Sequence, residues 1–96
     1  MTRIEKIRAA LESALQPQRL VIEDESHQHA GHAGAATGRG HFHVEIVAAS
    51  FAGTPLIARH RRVYEALGEL MQTDIHALSL RARTPAEVAA EAVASG

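Results

Sequence analysis

Apolar residues recur at helical spacing from the start of the chain. Ile4, Ile7, Leu11, Ala14 and Leu15 fall on one side of a predicted first helix. Thr2 and Glu5 have capping-box spacing, and Pro17 closes the segment near Gln16. Residues 19–25 read as a short strand with β-branched character. Residues 26–40 are rich in Gly, Ala, Ser and His and show no period, which predicts a loop, long for a hairpin connection. Strict alternation follows over 41–48. Phe42, Val44, Ile46 and Ala48 fall on one face, with His41, His43 and Glu45 on the other, the pattern of a half-buried strand. After a connection at 49–53, Thr54-Pro55 predicts an N-cap and a first helical position. Leu56, His60, Val63, Leu67, Leu70 and Met71 then line one face of a second helix. Thr73-Asp74 turns the chain. Residues 75–83 alternate again, with Leu78, Leu80 and Ala82 opposite Ser79, Arg81 and Arg83. Thr84-Pro85-Ala86-Glu87 is a further start signal and opens a final Ala-rich helix over 85–96.

The order α-β-β-α-β-α, without repeat or linker, predicts one small α/β domain over residues 1–96, with its core at about 3–88. A three-stranded mixed sheet covered by helices on one face satisfies this order. The second strand, second helix and third strand form a crossover unit. If these strands are neighbours they run parallel, and they start at the same end of the sheet. His76, at the start of the third strand, then lies near the loop that feeds the second.

Composition narrows the chemistry. The chain has 96 residues, of which 46% are hydrophobic, 3% aromatic and 19 are Ala. The core must be small and aliphatic, so function is expected on a surface or at an interface. Ten basic and eleven acidic residues give a net charge of −1, which argues against coating nucleic acid by charge alone. The absence of Cys excludes a disulfide scaffold, a thiol nucleophile and a Cys-ligated zinc site. The charged N-terminus leads into no apolar signal segment, and no apolar run approaches the ~20 residues that span a bilayer. A cytoplasmic protein without membrane association is expected.

Histidine is the metal-capable side chain in surplus, with seven in the chain: His27, His29, His32, His41, His43, His60 and His76. On a plain count His76 shares strand parity with Leu78 and Leu80, which also suits a core-edge histidine. His41 and His43 suit an exposed sheet face, with weak adventitious zinc or nickel binding as the alternative. Arg59-His60-Arg61-Arg62 is the one basic cluster. It suits a solvated helix face, with Arg62 near Glu65 and Glu69, or a surface for partner carboxylates or phosphates. Gly31-His32-Ala33-Gly34 has the GXXG form of a nucleic-acid clamp but lies between strands rather than between helices. Ser26 near His29 lacks a third catalytic member, so no enzyme is expected.

Six motifs in order extend the reading from Ile4 to about Glu87. They are Asp24-Glu25-Ser26 with His29, Gly40-His41-Phe42-His43-Val44, Phe51-Ala52-Gly53, Arg59-His60-Arg61-Arg62-Val63-Tyr64, Ile75-His76-Ala77-Leu78-Ser79-Leu80 and Thr84-Pro85-Ala86-Glu87. Together they resemble the BolA-like family. The resemblance implies a class II KH-like fold and a monothiol, CGFS-type glutaredoxin as partner. It implies a [2Fe-2S] cluster shared with glutaredoxin and glutathione, and none in the isolated protein, which would be a monomer or weak homodimer. The family's ligands map onto His76 and, in the loop, onto His29, with His32 as the alternative. The family has also been linked to transcriptional regulation through the second helix, which implies DNA contact by Arg59, His60, Arg61 and Arg62. Val88 stands where the family often has Trp, a departure that weakens any role for the last helix.

Overall fold

Thr2 opens helix α1 (Arg3–Leu15) with a complete capping box: its hydroxyl accepts from the Glu5 amide, and the Glu5 carboxylate accepts from the Thr2 amide. Gln16 ends the helix in the left-handed region, φ 47°, and Pro17 prevents its continuation. The computed structural model describes residues 1–26 and 39–95. After α1 come strand β1 (Arg19–Asp24), strand β2 (Gly40–Val47), a 3-10 turn (Ala49–Phe51), helix α2 (Leu56–Leu67), a one-turn helix α3 (Leu70–Thr73), strand β3 (Ile75–Arg83) and helix α4 (Pro85–Ser95).

The sheet order is β1-β2-β3. β1 pairs antiparallel with β2, and β2 pairs parallel with β3, so the sheet is mixed as expected. The alternation of β2 is realised: Phe42, Val44 and Ile46 are buried, while His41, His43 and Glu45 are only half-buried. The buried side joins Ile7, Leu11 and Leu15 of α1 with Val63 and Leu67 of α2 in one core, closed by Phe51 and Ile75. Removing apolar area from water at these positions is the main stabilising term, and few aromatic residues share it.

β1 ends at Asp24 and β2 runs one residue earlier than expected, and the second predicted helix differs at both ends. Pro55, not Thr54, is the residue that caps α2, with extended backbone (ψ 157°) and no side-chain bond. Thr54 instead offers its carbonyl to Arg59. The expected single helix is also divided. Gly68, at φ 53°, ends α2, and Leu70 and Met71 lie on α3. A left-handed φ costs glycine little, which makes it the natural stop at this point. The stripe is narrower than its spacing suggests: Leu56 is exposed, while Arg59 is buried beside Val63 and Leu67.

α4 begins with a second reciprocal cap. Thr84 Oγ1 accepts from the Glu87 amide, and the Glu87 carboxylate accepts from the Thr84 amide. Farther along, Glu91 binds Arg81 and Arg83, which alternate away from the core side of β3. No helix among the described residues is long and apolar enough to cross a membrane.

Candidate functional site

The start of β3 is fixed by its neighbours before any functional side chain is reached. Asp74 is buried and accepts from Thr73 Oγ1 at 2.6 Å and Lys6 Nζ at 3.2 Å, with Arg3 Nε at 3.6 Å. The Thr73 hydrogen bond, followed by that from Lys6, holds the Asp74 carboxyl below the usual carboxylate range. The Asp74 carbonyl accepts from the Gly40 amide at 2.9 Å, tying the starts of β2 and β3 together.

Just beyond this bond the parallel register shifts. Gly40 pairs with Ile75, but His41 pairs with Ala77, so His76 is an extra residue on β3. Such a bulge turns two successive side chains to the same side. This corrects the parity expected for His76. Ile75 is buried in the core, His76 is exposed, and regular alternation resumes with Leu78. The His76 ring lies against His41, with centroids 5.1 Å apart and planes tilted by 44°.

His41 is held as firmly as the strand start. Its amide donates to Ser26 Oγ at 3.0 Å, and its carbonyl accepts from the Glu25 amide at 2.8 Å. Ser26 is oriented in turn by its amide bond to Asp24 Oδ1 at 2.9 Å. Gly40 leaves no room for a side chain, since a Cβ there would lie 2.7 Å from both the Phe42 ring and Ser26 Oγ. His29 and His32, the loop histidines singled out from the sequence, lie outside the described residues, as does His27. His41, which the sequence left on an exposed sheet face, is the histidine brought to His76 among the described residues. The register of two parallel strands starting together is the signal that could have found it.

The basic cluster does not form one surface. Arg59 points inward. Its guanidinium makes a two-pronged pair with Glu87 at 2.6 and 2.9 Å and donates to the carbonyls of Thr54 and Ala82 at 2.7 and 3.2 Å. The Arg59 hydrogen bond is the largest influence on Glu87, whose carboxyl falls to about 2; the Thr84 amide bond adds to it. Arg59 is therefore spent in fastening α4 to α2 and β3, which removes it from any external binding face. Arg62 donates to the Ser50 carbonyl at 2.8 Å and lies over the Phe51 ring, not beside Glu65 and Glu69 as expected. Arg61 remains exposed, and half-buried His60 lines a groove with Leu56, Leu80 and Ala90.

With this geometry in place, the sequence matches the family model described as BolA-like protein over residues 11–87. The chain belongs to the BolA-like family. Among its BolA-like relatives is Protein BOLA1, chloroplastic, of Arabidopsis thaliana, 47% identical over 88 residues, covering 88% of this chain and 55% of that protein. The chain thus spans about half the length of that relative. The DNA-binding transcriptional regulator BolA of Haemophilus influenzae is 38% identical over 81 residues, covering 84% of this chain and 76% of the relative. The solved structure of BolA1 from Arabidopsis thaliana is similar, with a TM-score of 0.78 and 42% identity, covering 91% of this chain and 96% of that one. In this BolA-like chain the His41–His76 pair sits at the start of the two parallel strands.

Proposed function

We propose that this BolA-like chain is a binding adaptor, not a catalyst, that pairs with a monothiol (CGFS) glutaredoxin and co-ligates a [2Fe-2S] cluster through histidine. His76 is the principal ligand of this reading. His29 is the second, with His32 as the alternative. Glutaredoxin cysteine and glutathione supply the thiolates, and the isolated chain carries no cluster. The observation that supports the reading is the exposure of His76 at the bulge that opens β3, beside the rigidly held His41. The His76 side chain is exposed, and the bond from the Gly40 amide to the Asp74 carbonyl ties down the strand start just before it. Imidazole in place of thiolate makes a cluster less negative and raises its potential. It also makes ligation weaken at acid pH, because histidine binds metal only when neutral. The test is anaerobic titration of cluster-loaded glutaredoxin and glutathione, with visible circular dichroism as readout. The reading requires a new spectrum that saturates at one-to-one and is lost in His76→Ala.

A second reading is favoured by the Haemophilus relative's name: DNA binding through α2. Its footprint on this chain is reduced to Arg61, Arg62 and His60, because Arg59 is engaged with Glu87. This reading requires salt-dependent duplex binding that falls when Arg61 and Arg62 are neutralised.

A further inference from the structure

The sheet brings together a second histidine-centred cluster that the adaptor reading does not use. Glu23 of β1 is the register partner of His43 of β2, and Glu45 follows His43 on the same side of β2. One potential ligand atom from each of Glu23, His43 and Glu45 lies within 4.8 Å of the other two. Register places Glu23 opposite His43, and the two-residue repeat of β2 places Glu45 on the same side.

Polar contacts on both ring nitrogens orient His43 within the cluster. Ser79 Oγ lies 3.0 Å from His43 Nδ1, leaving Nε2 directed at Glu45 Oε2, 3.2 Å away. An imidazole lone pair and a carboxylate oxygen at that separation repel unless a proton or a metal cation lies between them. The other Glu45 oxygen accepts from Arg83 Nη2 at 3.4 Å, which fixes the carboxylate and leaves Oε2 for the cluster. Arg83 also binds Glu91, so its charge is shared between two carboxylates. A second polar group on the far ring nitrogen is the usual way a ligating histidine is held.

We propose that Glu23, His43 and Glu45 form a binding site for a divalent transition-metal cation, with zinc as the probe ion, separate from His76. One imidazole and two carboxylates with a fourth position open to water suit zinc. Imidazole makes the site a poor match for calcium or magnesium, which prefer oxygen alone.

The experiment titrates zinc into the 96-residue chain carrying His76→Ala and follows individual histidine ring resonances by NMR. The His43 ring is expected to respond to zinc. Glu23→Gln is expected to move its midpoint to at least about tenfold higher zinc, and Ser79→Ala to shift it about tenfold. Glu23 is exposed, so unchanged amide resonances elsewhere will confirm that the fold persists. If zinc moves only the other histidines, or if the His43 midpoint ignores Glu23→Gln, the site does not exist. Neither result depends on glutaredoxin, so failure here leaves the adaptor reading standing.

Discussion

The rings of His41 and His76 meet 5.1 Å apart although 35 positions separate them in the chain. The contact exists because β2 and β3 run parallel from a common start and β3 carries its extra residue at that start. His41 is thus a positioning neighbour for the proposed ligand. His41→Ala is expected to leave the one-to-one complex intact while weakening cluster retention about tenfold, as outer groups of metal sites do. The lifetime of the visible spectrum under a chelator checks this, and a lifetime equal to wild type would show that His41 does not act on His76.

Gly40 sets the approach to the same point. A methyl group at this position meets the Phe42 ring and Ser26 Oγ at 2.7 Å. Phe42 is 2% exposed and has little room to withdraw. Gly40→Ala is expected to cost about 1–3 kcal/mol by overpacking and to shift the His41 amide resonance, because Ser26 accepts its hydrogen bond. Denaturant unfolding and an amide spectrum measure both effects.

Arg59 and Arg61 are separated by two positions on α2 but should behave differently. Arg59→Met leaves the carbonyls of Thr54 and Ala82 without their donor. The expected loss is about 1–3 kcal/mol, the cost of leaving buried polar groups unsatisfied. Arg61→Met, on an exposed side chain, should change stability by no more than about 0.5 kcal/mol. Equal effects in thermal unfolding would contradict the assignment of Arg59 to structure.

The Arg59–Glu87 pair also gives a pH signature. Glu87 falls from an ordinary value of 4.5 to about 2 in the folded chain. A carboxyl depressed by folding adds stability that is fully present above its unfolded value and lost as pH falls through its folded value. The thermal stability of wild type relative to Glu87→Gln should therefore be constant above about pH 4.5 and shrink between there and pH 2. A difference that widens on acidification would reverse the sign and refute the pairing.

Most of the architecture was legible because local signals agreed with the global fold. The capping boxes at Thr2 and Thr84, the alternation of β2 and the crossover unit all pointed to the observed arrangement. The parallel pairing behind the placement of His76 is present, and it brings His76 to His41 at the start of β2, while the loop at 27–38 lies outside the described residues. What escaped the sequence depended on contacts distant along the chain. Spacing cannot reveal a bulge, so His76 was counted on the wrong face. Nothing near Arg59 announces Glu87, 28 residues away, so a structural arginine read as part of a basic surface. Gly68 ends α2, where the apolar stripe alone carried the expected helix on to Met71. The loop candidates His29 and His32 belong to residues outside those described.

The central claim is that His76 enters the coordination of a cluster held with glutaredoxin. Its most direct measurement is the anaerobic titration of [2Fe-2S]-loaded monothiol glutaredoxin and glutathione with wild-type and His76→Ala protein, followed by visible circular dichroism. The account predicts a new spectrum saturating at one-to-one with wild type and no such spectrum with His76→Ala. Indistinguishable spectra from the two proteins would contradict it.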